Sequence, residues 1–373
     1  MIISRQVIYW DNATFLLYIF ISLLSFFISG AAIKAIKFNN RKYIIPFGLI
    51  LESIILIVVK GCAGIGGDMV GGYQYNFWNS ASLSTFPDKT VELGYRILSV
   101  VVFNMFHNYT VFILIVSIMT VFPVSWLAWN YHKILDINIT MGLYTCIWYF
   151  QSFSLIRIYL AASIALIAFA YELENKAIKS IVWILLASLF HLTTLILLIP
   201  WIIKFGKIFS KYFYFTGMIV LAVIAFVFRA NILTLFDGGR YSIYSLASGS
   251  LGMEEVLYYV PIFILIYIGH NNIKENHQSD VMYIVGNAYT FTGFEIGILK
   301  YAVTIIGRMQ VLFIPITFII SFYFKMMKKN KLTYILLKGI IILYGLVRLI
   351  IYLKGYYNVD NIMPYTTFWG WHL

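Results

Sequence analysis

Apolar residues in this chain run in long continuous blocks, not at helical intervals. The blocks fall at 13–33, 43–60, 109–129, 139–154, 156–173, 179–200, 212–229, 255–270, 281–299, 305–324 and 332–352. A run this long and this uniformly apolar is the pattern of a helix in lipid, since crossing the hydrocarbon takes about 20 residues. The expected fold class is all-α: a polytopic integral membrane protein with about 10–11 transmembrane helices. The whole of 1–373 reads as one multi-span membrane domain. Two longer polar stretches interrupt it, an outer loop at 61–108 and a second at 230–254. The first fifteen residues, MIISRQVIYWDNATF, lack the order of a cleaved signal, so the first helix is expected to be retained.

Basic positions between the blocks set the orientation. Lys34, Lys37, Arg41 and Lys42 separate the first two blocks, and Lys325, Lys328, Lys329 and Lys331 separate the last two. Basic loops stay cytoplasmic, which places the N-terminus, 61–108 and 230–254 outside. Counting inward from both ends then fails to agree around 179–200. A break near His191–Thr194, with a half-helix returning through Pro200, removes the conflict. Such broken or re-entrant helices are tolerated at membrane depth where they line a cavity. Segment 92–106 is about 22 Å long as a helix, too short to span comfortably. Glu92, Arg96 and Ser99 share one stripe of it, so an amphipathic helix in the outer interface is expected.

Composition agrees with this pattern. The chain is 61% hydrophobic and 11% charged, against about 25% charged in soluble domains. A cytosolic enzyme, a nucleic-acid module and a disordered protein are excluded. The net charge of +12 follows from the cytoplasmic loops and calls for no nucleic-acid partner. Cys62 and Cys146 form neither a metal set nor a disulfide framework.

Ionisable residues within apolar blocks are functional candidates because burying them in lipid is expensive. They are Glu52, Arg157, His191, Glu295, Lys300, Arg308, Lys338 and Arg348. Glu52 needs a partner in mid-span, and Lys338 is a candidate counter-charge. Arg157 and His191 flank the cytoplasmic turn ENKAIK, with helical climbs from Lys176 of roughly 28 and 22 Å. Both should arrive near the outer edge of one hairpin, where an Arg can hold an anion and a His can move a proton. Snorkelling to head groups and a hydrogen bond to a neighbouring helix are the alternatives. In the outer loop, GCAGIGGDMVGGYQYNFW lacks a Walker pattern and reads as a flexible re-entry loop. Asp68 with Tyr73, Tyr75 and Trp78 fits sugar binding, or equally an interfacial aromatic belt. No HExxH, His/Cys metal set or DxD pair occurs, so no metal and no cofactor are expected.

The stretch RIYLAASIALIAFAYELENKAIKSIVWILLASLFHLTTLILLIP, beginning at Arg157, resembles the signature region of the EpsG-like branch of the Wzy-type polysaccharide (O-antigen) polymerases. Gly67-Asp68, Tyr73 or Tyr75, Phe77, Glu92-Leu93-Gly94-Tyr95 and Arg308 look like further motifs of that family. The usual Arg-Gln of the helix start is Arg157-Ile158 here, and Gly71-Gly72 stretches the spacing from Asp68 to the tyrosines. The resemblance implies a glycosyltransferase at the outer face of the bacterial inner membrane. It would move a growing glycan from undecaprenyl diphosphate to a sugar hydroxyl of a new lipid-linked repeat unit. His191, Asp68 and Glu92 are the implied catalytic candidates, Arg157 and Arg308 the diphosphate ligands, and Tyr73 and Tyr75 the sugar contacts. The implied partners are undecaprenyl-diphosphate-linked oligosaccharides, membrane lipids and a chain-length regulator protein, with no nucleic acid. An O-antigen ligase, an acyltransferase and a lipid-linked glycan transporter are the competing readings.

Overall fold

The computed structural model describes residues 9–38, 41–206, 220, 227, 254–273, 277–300, 304–327 and 331–371. The expected span at 212–229 and nearly all of the second outer loop, 230–254, lie outside these residues. The described chain is all-α apart from one hairpin. It divides into two units, Met1–Ser163 with Leu189–Leu192 and Lys328–Leu373, and Ile164–Ser188 with Thr193–Met327.

Unit 1 begins with α1, Asn12–Ile28, capped by the Asp11 carboxylate, which accepts from the Thr14 amide at 2.7 Å. The basic segment that follows is an antiparallel hairpin, β1 Ile33–Phe38 with β2 Arg41–Pro46, paired from Ile33↔Pro46 to Phe38↔Arg41. The first two expected spans are therefore shorter than their apolar blocks. In IKAIKF the lysines Lys34 and Lys37 stand three apart, so no period-2 alternation marks the strand in sequence. After the hairpin come α2, Phe47–Gly61, and two short helices, α3 Gly67–Val70 and α4 Gly72–Trp78. They are followed by α5 Leu93–Phe106 and α6 Tyr109–Asn130. The expected span at 139–154 is α7 Ile137–Tyr144, continued by a π-helical stretch Thr145–Tyr149 and a 3-10 turn Phe150–Phe153. Next is α8, Ile156–Leu173, which belongs to unit 1 as far as Ser163.

These helices carry their polarity inside out. On α6 the exposed residues are Leu114, Ile118, Phe122 and Trp126, one stripe at every fourth position, while Ser117, Thr120 and Ser125 are buried. The buried hydroxyls of Ser117 and Thr120 bond the Ile113 and Val116 carbonyls, both at 2.7 Å. In water this arrangement would forfeit the apolar burial that drives folding. In lipid it is the stable one, because the tails are as apolar as Leu and polar groups must be satisfied internally. Among the described residues, three helices are long and apolar enough to cross a membrane: α6, α8 and the C-terminal Lys331–Tyr356. A fourth forms if the pair Ile306–Phe313 and Pro315–Met326, bent by 41°, is one span. The blocks at 255–270 and 281–299 are continuous helices of 19 and 23 residues, Glu254–Asn272 and His277–Leu299.

The glycine segment after α2 is a pinned element, not a flexible loop. The C-terminal tail clasps it, with Gly64, Gly66 and Gly67 amides donating to the carbonyls of Thr366, Asn361 and Asp360, each at 2.8 Å. The Phe368 amide bonds the Cys62 carbonyl in return. Gly66 has φ +105°, and a Cβ there would collide with the Phe153 carbonyl. In mid-membrane, buried Glu52 accepts from Ser25, whose hydroxyl also lies 3.0 Å from that of Thr145. Lys338, the expected counter-charge, instead sits over the Phe27 ring at 5.0 Å. Cys62 and Cys146 are free thiols.

Unit 2 contains the broken helix. α9, Ala177–Ser188, is followed after three residues by a 3-10 stretch Leu192–Leu197, then α10, Leu198–Phe205. The Trp201 indole donates to the Ala177 carbonyl at 3.2 Å, so the chain doubles back on itself. α11 Glu254–Asn272, α12 His277–Leu299, a 3-10 stretch Thr304–Phe313 and α13 Pro315–Met326 complete the unit. The last helix, α14 Lys331–Tyr356, returns to unit 1.

Candidate functional site

The site in unit 1 forms where three separate segments meet the start of α8. Ile156–Leu173 begins immediately after Leu155, which places Arg157 in the first turn of the helix. Its guanidinium donates through Nε to the Tyr73 hydroxyl at 2.8 Å and lies over that ring, 5.5 Å from the centroid. Nη1 of the same group pairs with the Glu92 carboxylate. Tyr73 comes from α4, where Gly72 and the pinned glycine segment set its position. Glu92 is the residue from which α5 starts.

Glu92 also reaches the helix break. Its second oxygen accepts the Leu192 amide at 3.4 Å, next to His191. The Gly94 amide bonds the Leu189 carbonyl at 2.7 Å. That approach requires glycine, because a Cβ at Gly94 would stand 2.8 Å from the Leu189 carbonyl oxygen. The two helical climbs flanking ENKAIK therefore do end together, joined through Glu92. The first amides of a helical stretch have no partner within it, and the carboxylate takes the one at Leu192.

Tyr95 backs the cluster, its ring 5.2 Å from that of Tyr73. Burial pushes the Tyr73 phenol above its ordinary value, the Arg157 charge opposes this, and the Asp68 carboxylate adds to it. Asp68 lies in α3, partly exposed, and acts on the same phenol through its charge.

Sequence expectation and structure can now be set side by side. Arg157, Tyr73, Glu92 and the backbone beside His191 converge, with Asp68 near. Tyr75 does not join them: it is 64% exposed on α4, whereas Tyr73 is 8% exposed. Two residues along a helix turn a side chain to the other flank, so only one of the two tyrosines can face Arg157. Arg308 belongs to unit 2, exposed on the 3-10 stretch Thr304–Phe313. In that unit, buried Glu255 pairs with Lys300 and accepts from Gln310 at 2.6 Å, a network overlooked in the sequence reading. The apolar stretch YYVPIFILIYI after it hid its partner, which lies 45 residues on. No group of three or more His, Cys, Asp or Glu side chains comes together among the described residues.

The arrangement offers a fixed cation, a phenol that accepts from it, and a carboxylate that joins the cation to the helix break next to His191. A guanidinium held in this way is the kind of group that can stabilise developing negative charge.

The EpsG family matches residues 44–367. No curated protein and no solved structure gives a match. The match runs from the second strand of the hairpin to the tail that clasps the glycine segment, and takes in Tyr73, Glu92, Arg157 and His191. The chain thus belongs to the EpsG family, whose EpsG-like members are polysaccharide polymerases of the Wzy type.

Proposed function

We propose that this membrane protein polymerises lipid-linked repeat units at the outer face of the bacterial inner membrane. The donor is a growing glycan on undecaprenyl diphosphate, and the acceptor is a sugar hydroxyl of a new lipid-linked repeat. The single observation that supports this best is the Arg157–Tyr73–Glu92 cluster at the helix break beside His191. The acceptor oxygen bonds to the anomeric carbon as the bond from that carbon to the diphosphate oxygen breaks. The electron pair leaves with the diphosphate, a good leaving group that needs positive charge more than a proton. Arg157 supplies that charge in fork geometry suited to phosphate.

The attacking hydroxyl loses its proton to a base. Glu92 is poorly suited, since Arg157 and the Leu192 amide occupy its two oxygens. It is a positioning residue in this reading, His191 is the base, and Asp68 is the competitor. Tyr73 contacts the first sugar.

The test is chain length in the native host. Arg157→Ala and His191→Ala should leave single repeat units on the lipid carrier or core, while a fully polymerised product from either variant removes it from the mechanism. Asp68→Asn separates the base candidates: His191 stands as the base if this variant keeps most of the activity. Arg308→Ala tests the guanidinium in unit 2 independently. A strain lacking an O-antigen ligase would instead carry no repeats on the core.

A further inference from the structure

Helix α5 presents its apolar stripe to the outside. Leu93, Ile97, Val101 and Met105, spaced by four, are all exposed, whereas Tyr95, Ser99 and Val102 are buried. Arg96 lies on the flank between these faces, one turn beyond Glu92 and about 6 Å further along the axis. It is half-buried, and its Nε is enclosed with no acceptor. Among the described residues no carboxylate pairs with it. Arg157 by contrast has its Nε on the Tyr73 hydroxyl and its Nη1 on the Glu92 carboxylate.

An enclosed Nε–H without an acceptor is a costly arrangement, because buried donors in native proteins are paired. Its position narrows what completes it. The missing group must be anionic, and it must sit where an apolar stripe emerges from the protein. A lipid with a phosphate head meets both demands at once: its chain follows Leu93, Ile97 and Val101, and its phosphate oxygens meet Arg96. A free phosphate would use only the guanidinium.

We propose that Arg96 binds a phosphate of the prenyl diphosphate carrier, with the exposed stripe of α5 carrying the first part of the prenyl chain. This rests on the polymerase reading above and adds to it a residue and a lipid seat.

The experiment uses the full chain in nanodiscs of zwitterionic phosphatidylcholine. Binding is measured for undecaprenyl diphosphate, for undecaprenol, and for phosphatidylglycerol added to the disc. Arg96→Gln should weaken undecaprenyl diphosphate by about tenfold to a hundredfold, the loss expected for charge-assisted hydrogen bonds. Undecaprenol binding should not change. Arg96→Lys keeps the charge but not the fork, and should recover part of the affinity. Equal binding of the diphosphate by wild type and both variants overturns the proposal. So does an equal loss of phosphatidylglycerol, which would make Arg96 a head-group anchor. Arg157→Gln, measured in parallel, keeps the two readings apart. If Arg157→Gln weakens binding and the Arg96 variants do not, Arg96 alone is excluded. If wild type fails to prefer the diphosphate over undecaprenol, the polymerase reading falls and this one with it.

Discussion

Arg157 and Tyr73, 84 residues apart, are joined by a 2.8 Å hydrogen bond from Nε to the phenol oxygen. Because Arg157 donates, the phenol's own proton remains free for another acceptor. Tyr73→Phe should remove the fixed orientation of the guanidinium without removing its charge. The expected loss is roughly 10- to 100-fold in polymerisation rate, from about 1.5–3 kcal/mol for a hydrogen bond to a charged group. Arg157→Lys should lose more, since one ammonium cannot serve Tyr73, Glu92 and a phosphate in fork geometry. Rates measured with purified lipid-linked repeats decide this, and a wild-type rate for Arg157→Lys would refute the orienting role.

Burial raises the Tyr73 phenol above its ordinary 10.0, so it stays protonated where a free tyrosine would ionise. For a group raised on folding, the stabilising contribution is complete below the unfolded value and is lost as pH climbs through the folded one. The activity profile should therefore show no alkaline limb from Tyr73 near pH 10.0, and any stability loss from it should begin only above that point. A phenolate absorbance titration of wild type against Tyr73→Phe checks this. A Tyr73 signal appearing below 10.0 would contradict it.

The glycine segment separates two positions that look alike in sequence. Gly66→Ala meets the Phe153 carbonyl at a left-handed φ and should cost at least 1–3 kcal/mol, the usual range for a strained backbone. Gly72→Ala meets nothing within 4 Å and should stay within about 0.5 kcal/mol. Melting of both variants in detergent reads the difference. Equal stabilities would mean that the tail does not clasp this segment.

The exposed stripe of α14 tests the inside-out polarity. Ile340 is 63% exposed near the middle of Lys331–Tyr356. In water Ile340→Asp would be nearly silent. Facing lipid, it should cost about 2.5–3.5 kcal/mol of insertion free energy. Reporter fusions that score membrane insertion of this helix give the answer, and an unimpaired Asp variant would place that face in water.

Much of this architecture was legible before any coordinates. Membrane residence follows from 61% hydrophobic and 11% charged residues, because no arrangement of so few charges can wet the surface. The break before Leu192 was legible as well, since basic loops count membrane crossings and the count failed there. Arg157 and His191 could be brought to one depth from helical rise alone. The hairpin at Ile33–Phe38 was hidden because basic residues between two apolar blocks read as a loop, and Lys34 and Lys37, three apart, break any period-2 alternation.

What the chain determined by itself is its solvent and the depth of its charged residues, both one-dimensional quantities set by hydropathy and rise per residue. Only the tertiary structure decided who pairs with whom. Nothing in sequence told that Glu92 contacts Arg157 and the Leu192 amide, 65 and 100 residues away. Tyr73 and Tyr75 were interchangeable in sequence until helical geometry turned one inward and left the other exposed. The glycines of 61–72 read as flexibility until the tail from Asp360 to Phe368 was found against them. Pairing between distant segments depends on how helices pack, and packing in lipid is set by close contact and satisfied polar groups, which hydropathy does not record.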